Sequence, residues 1–467
     1  MTEVKNKWLQ HGILLSAPLL SVIDVFIVNI SIPSIQADLK ATDGQIELVI
    51  AAYLIGFAGF IITGGRVGDY WGRKKTFLTG MLAFVITSCI CGMATNPEWL
   101  ILARFFQGVA AAFMLPQSLS YLQLLFTDKK ERTKAIGWVG FTLGTASVLG
   151  QFLGGYLSSL QTAIAGWRFI FYINLPIGLI ALLLASMFLV EYKGNHTRKG
   201  FDIGGVVLVV FILCGLIYPL SEGRELGWPW WSFILMMASL LGFWLLVRYQ
   251  RKRTSAGKFA LVPLDLFQIK SFNLGIVAAI FYFMMHTSFL LISTIYVQKG
   301  LGKSPYDTGL YFVVFGLGFM LSSLLSIKLV HKYGVKAVIG GILLMIGAYL
   351  LQFHYFSNAV TSASLSAILL VTGLAGGMVL PTLINLSLKE VSADLSGIAS
   401  GVYNTSQQAA SSLGICLVAG LFFYLSNLHG VVSAFHFSLI AEMILAAMVL
   451  IMLIVINRQK KSAHRKL

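Results

Sequence analysis

Residues 46–67 read IELVIAAYLIGFAGFIITGGRV, and residues 68–75 follow as GDYWGRKK. The first stretch is an apolar run whose charges, Glu47 and Arg66, lie only near its ends. It is long enough to cross a hydrocarbon core of about 30 Å, which takes about 20 residues of helix. The second stretch is a short basic turn. This alternation of long apolar run and charged break repeats along all 467 residues. Composition agrees: 57% of residues are hydrophobic, 11% are charged and mean hydropathy is +0.83. A soluble domain carries about 25% charged residues. No water-soluble fold can cover that much apolar surface, so a globular cytosolic enzyme is excluded. Cys89, Cys91, Cys214 and Cys416 all sit inside apolar runs, which argues against a disulfide framework or a zinc ribbon.

Fourteen such runs are legible, near 12–34, 46–67, 76–95, 98–122, 134–158, 168–190, 203–220, 230–247, 272–296, 306–327, 336–356, 363–387, 396–425 and 432–456. They are numbered helices 1–14 below. The runs are continuous rather than alternating, so they read as helices and not as barrel strands. The seventh and eighth are short. With the N-terminus in the cytoplasm, an even count returns the C-terminus there. Of the 34 Lys and Arg residues, 28 then fall on the inner side. The outer side receives only Lys40, Arg168, Arg224, Lys299 and Lys303, and Arg104 lies within a span. This asymmetry supports a multi-pass protein of the cell membrane with both ends inside. It also accounts for the formal net charge of +16 without nucleic acid as a partner.

The chain echoes itself at an offset of about 264 residues: Met114-Leu115-Pro116 recurs as Val379-Leu380-Pro381, and Gly137 and Gly150 as Gly401 and Gly414. The turn at Gly68–Lys74 has a worn copy at Val330–Lys336. The expected architecture is therefore all-α: a six-helix bundle over 1–192, an inserted pair (helices 7 and 8) over 193–258, and a second bundle with a basic tail over 259–467. Parallel repeats of this kind build alternating-access transporters.

Four stretches resemble signatures of the major facilitator superfamily, and in particular its fourteen-span drug:proton antiporters. They are Asp24–Pro33 in helix 1, Gly64–Lys74 after helix 2, Leu102–Gly108 in helix 4 and Trp167–Pro176 in helix 6. The resemblance covers essentially the whole chain. It implies a proton-driven exporter with no bound cofactor or metal, monomeric in the bilayer, and taking small amphipathic compounds as substrates. It also implies that Asp69 docks on the N-terminus of helix 13, near Gly397.

The turn reads physically as a latch. Gly68 and Gly72 permit a tight turn and close helix approach. Asp69 carries a charge that suits a helix N-terminus. Arg73 is placed to reach Asp128 or Glu131 in the next inner loop. The alternative is a solvated acid beside a group of topology-setting cations.

Ionisable groups within the spans and away from their ends are few: Asp24, Arg104, His286 and Glu442. A charge at mid-membrane costs about 2.5–3.5 kcal/mol on insertion scales, so it faces a partner, water or a site. Asp24 in helix 1, with Arg104 in helix 4 as partner, is the candidate proton-coupling pair. The plainer reading is a structural tie between those helices. Phe26, Asn29, Gln107, Gln117, Gln151, Tyr282, His286, Tyr403, Asn404 and Gln407 are candidate cavity residues. The last three belong to a polar stripe on one face of helix 13, costly against lipid. Gln151 stands where the family pattern has proline, which removes a kink and weakens the inference of export. Phosphate-binding loops, Gly-x-Ser-x-Gly elbows and metal-ligand spacings are not found in the sequence, so a membrane enzyme is disfavoured. A carrier dedicated to one lipid, peptide or metabolite remains the alternative to a drug exporter.

Overall fold

The computed structural model describes residues 6–192, 200–357, 360–392 and 395–464. Lys5, Lys193, Arg198, Lys199 and the last tail residues, counted above for charge placement, lie outside them or have side chains that do. Among the described residues the chain is helical without a strand. Fourteen helices are long and apolar enough to span a membrane: Lys7–Leu39, Asp43–Trp71, Arg73–Gly92, Pro97–Leu125, Lys130–Ser158, Gly166–Phe188, Ile203–Glu225, Trp230–Ser255, Lys270–Gly300, Pro305–Ser326, Val335–Tyr355, Ser362–Leu388, Ser396–His429 and Val431–Arg458. The expected fold class and span count hold. Helices 7 and 8 extend further than the apolar runs indicate. Pro219 does not end helix 7, and helix 8 continues through its basic end.

Local chemistry sets many helix starts. The Thr42 hydroxyl and the Gln45 side chain form a reciprocal capping box at helix 2. Asn96 caps helix 4 ahead of Pro97, and Ser304 caps helix 10 ahead of Pro305. Each supplies an acceptor for an otherwise orphaned N–H.

The chain divides into two compact units, Met1–Val262 and Pro263–Leu467. In the first, helices 2 and 4 approach to backbone contact: a Cβ on Gly108 would overlap the Tyr53 carbonyl, and one on Gly56 the Phe105 carbonyl. In the second, Gly373 meets the Phe315 carbonyl, and a Cβ on Gly318 would lie 2.6 Å from the Leu370 carbonyl. These are the same interlocks shifted by one repeat. Small residues at such crossings let backbones approach where lipid supplies no hydrophobic drive. The break between helices 2 and 3 falls at Gly72 (φ +106°), and that between helices 10 and 11 at Gly334 (φ +63°). Both conformations favour glycine.

The inserted pair belongs to the first unit. Helix 7 packs on helix 2, where the Arg224 guanidinium pairs with Glu47 at 2.8 Å and the Gly44 N–H donates to Glu225 at 3.2 Å. Glu47 is fully buried. Residues 259–262 are also held within this unit. Arg253 Nε donates to the Phe259 carbonyl at 2.8 Å, the Leu261 N–H donates to Asp202 at 2.9 Å, and the Arg66 guanidinium lies 3.7 Å over the Phe259 ring.

Candidate functional site

Helix 1 carries Asp24 into the interior of the first unit with no exposed surface, and helix 4 brings Arg104 to it. Arg104 Nη1 donates to Asp24 Oδ2, and also to Gln107 Oε1 at 2.7 Å. Gln107 Nε2 donates to Asp24 Oδ1 at 2.7 Å. The spacing of three residues on helix 4 places guanidinium and amide side by side as one fork. Asn174, just after the break within helix 6 at Ile173, adds a longer contact to Asp24 at 3.4 Å and donates to Ser88 Oγ of helix 3 at 2.9 Å. Arg104 lies 4.5 Å over the Tyr53 ring and 5.8 Å from that of Phe171. A buried ion pair is tolerable only when its remaining valences are satisfied, and amide, aromatic face and guanidinium do that here.

The pairing of Asp24 with Arg104 is thus present. Gln107, expected on a cavity wall, is instead committed to this cluster. Gln117 is likewise structural: its Nε2 donates to the Gly64 carbonyl at 2.8 Å, and its amide occupies the space a side chain at Gly68 would need. Of the other first-unit candidates, Asn29 is buried and Phe26 half-buried. Gln151 is buried, and neither atom of its amide has a hydrogen-bond partner.

The turn after helix 2 differs in detail from expectation. Arg73 pairs with Asp69 at 3.0 Å, one helical turn back, rather than with Asp128 or Glu131. The reason is that both are engaged elsewhere. Asp128 caps helix 5 by accepting from the Glu131 N–H at 2.9 Å, and Glu131 pairs with Lys7 at 2.8 Å. The N-terminus of helix 3 is capped by Glu191, which accepts from the N–H groups of Lys74 (3.0 Å) and Lys75 (3.3 Å). Its carboxylate packs where a Cβ on Gly72 would fall. Gly397 opens helix 13 in the second unit with open space around it.

In the second unit, His286 stacks on Tyr282 with ring centroids 5.7 Å apart, and Phe315 and Phe319 of helix 10 lie 6.4 and 6.2 Å away. The Tyr282 hydroxyl donates to the Gly376 carbonyl at 3.1 Å. Tyr403 is buried with its hydroxyl unpartnered, and Asn404 and Gln407 are half-buried. Thr287 donates to Ser411 at 2.9 Å, tying helix 9 to helix 13. Glu442 is buried against Ser288.

Sequence reading missed several participants. Asn174 and Ser88 complete the Asp24 cluster, and Glu191 caps helix 3. Asp38 accepts from Trp167 Nε1 at 2.9 Å and from Arg168 at 3.2 Å. Trp167, Arg168 and Asn174 all fall in the stretch Trp167–Pro176, so that motif does its structural work through these three side chains. Among the described residues no three His, Cys, Asp or Glu side chains are grouped to hold a metal ion.

The sequence profile of the Major Facilitator Superfamily matches residues 14–415. The chain belongs to this superfamily. Its curated relatives include a probable actinorhodin transporter of Streptomyces coelicolor, 33% identical across 90% of this chain and 73% of that protein. Another is the puromycin resistance protein pur8 of Streptomyces alboniger, 31% identical across 88% and 81%. A third is the multidrug resistance protein Stp of Mycobacterium tuberculosis, 30% identical across 85% and 73%. Among solved structures, a D-xylose-proton symporter superposes with a TM-score of 0.68 at 15% identity, covering 96% of this chain and 97% of its own. A nucleoside transporter gives 0.67 at 12% identity, covering 97% and 100%. These structures share the major facilitator fold. The protein is thus a multi-pass membrane transporter whose relatives are named for drug resistance and export.

Proposed function

We propose that this transporter is a proton-coupled antiporter that exports lipophilic or cationic compounds from the cytoplasm, with both termini on the cytoplasmic face of the cell membrane. The observation that supports it most is the Asp24–Arg104–Gln107–Asn174 cluster. Its single carboxylate is held by donors on two other helices, so small helix movements change how well the charge is compensated. A buried membrane carboxylate whose charge compensation depends on helix position is the kind of group that can link proton binding to helix movement. Within the second unit, His286, Tyr282 and the half-buried amides of helix 13 offer aromatic faces and hydrogen bonds to an amphipathic substrate. A cationic one would also gain cation–π attraction. Relatives named for puromycin and multidrug resistance support this substrate class.

The deciding experiment is efflux from proteoliposomes under an imposed pH gradient, scanned over a compound panel, with Asp24→Asn as control. Gradient-driven export in the wild type and its loss in Asp24→Asn are expected. Full gradient-driven export by Asp24→Asn would end the reading. A second reading, export of one dedicated natural product, is favoured by the relative named as a probable actinorhodin transporter. A panel in which a single compound class competes would select it.

A further inference from the structure

Glu442 sits in helix 14, packed against helices 9 and 11 of the second unit, with no exposed surface. No ion pair reaches it among the described residues. Helix 9 carries its lysines only at its ends, Lys270 and Lys299, helix 11 carries Lys336 at one end, and helix 13 has no Lys or Arg. Tyr349 of helix 11 is the titratable group facing it. His286 and Tyr282 of helix 9 are turned toward the aromatic rings of helix 10 and the Gly376 carbonyl. On helix 14 itself, His436 is bonded to the Phe356 carbonyl.

The hydrogen-bond geometry at Ser288 favours a protonated Glu442. Ser288 Oγ is 2.6 Å from the Met284 carbonyl, 3.1 Å from the Met285 carbonyl and 2.8 Å from Glu442 Oε1. A hydroxyl has one proton to donate. If that proton goes to the Met284 carbonyl, the usual back-bond of a helical serine, the contact with Glu442 holds only if the carboxyl donates. If it goes to Glu442 instead, two oxygens face each other at 2.6 Å with nothing between them. A protonated Glu442 satisfies both contacts. An ionised one would lie buried with no countercharge among the described residues, a strongly unfavourable arrangement.

We propose that Glu442 is a proton-binding carboxyl of the second unit, occupied in this conformation and separate from Asp24. Loading transfers a proton from hydronium to Oε1, forming the O–H bond and leaving water; release returns the proton to water as hydronium. Next to Ser288 in the chain, Thr287 donates to Ser411 of helix 13 at 2.9 Å, one turn from the half-buried Gln407 and Gln408. The coupling role rests on the antiporter reading above; the occupancy of the site does not.

The test is infrared difference spectroscopy of the reconstituted protein through a pH titration, paired with a dye measurement of protons released per molecule exported. The wild type is expected to show the carbonyl stretch of a protonated carboxyl that disappears on alkalinisation. Glu442→Gln, which reproduces the donor and acceptor of the protonated acid and so preserves folding, should lack the band. It should also release about twofold fewer protons per exported molecule, one of two carriers having been removed. Asp24→Asn should keep the band even if it abolishes transport, which separates failure of this proposal from failure of the antiporter reading. Absence of the band in the wild type would overturn the proposal. So would a band that ignores pH together with unchanged proton release in Glu442→Gln.

Discussion

Gln107 holds Asp24 through Nε2 at 2.7 Å while its own Oε1 accepts from Arg104 at 2.7 Å. One amide therefore bridges both members of a buried ion pair and fixes their separation. Replacing Gln107 with Leu should leave the charges paired but unbridged, at a cost of about 1–3 kcal/mol for the donors and acceptors stranded. Arg104→Ala should be worse, about 3–5 kcal/mol, because Asp24 would be left buried without a countercharge. Thermal unfolding in detergent micelles measures both. An Arg104→Ala protein as stable as the wild type would contradict the geometry.

Glu191 caps the helix that begins after Gly72. Glu191→Ala should lower stability by about 1 kcal/mol, as loss of an N-cap does, and should reduce transport because the turn at Gly72 loses the carboxylate packed on it. Asp128→Ala should disturb only the start of helix 5. Efflux assays and melting curves of the two variants check this; transport loss in Asp128→Ala with a silent Glu191→Ala would reverse the assignment.

Arg224 and Glu47 form a second buried pair, joining helix 7 to helix 2. Arg224→Ala should destabilise by about 3–5 kcal/mol, and Glu47→Leu with Arg224→Leu together should recover most of the loss. A double-mutant cycle on melting temperature reports the coupling. Additive single effects would show that the pair contributes nothing of its own.

At Gly108 and Gly373 the helices meet backbone to backbone. Leucine at either should prevent correct packing and collapse the monodisperse peak in fluorescence size-exclusion chromatography. Leucine at Gly137, where a Cβ would meet open space, should be tolerated.

The spans were legible because each apolar run exceeds a bilayer's thickness, and the breaks between them carry charge. Asp24 and Arg104 were legible because charges inside such runs are rare. What the sequence does not display is helix rotation. Gln107 and Gln117 lie ten residues apart on helix 4 and read alike as cavity amides, yet one turns to Asp24 and the other to the Gly64 carbonyl. Glu47 was overlooked because it stands one turn inside helix 2, where it reads as an interfacial acid. Its partner lies 177 residues away. For Arg73 the sequence offers acids in the next loop as well as Asp69 one turn back, and the nearer one takes the guanidinium.

The pairing of Glu47 with Arg224 ties the inserted helices to the bundle chemically as well as sterically. Deleting residues 203–255 would leave the Glu47 carboxyl without its guanidinium, so a chain shortened to twelve spans would need helix 2 to give up its acid as well.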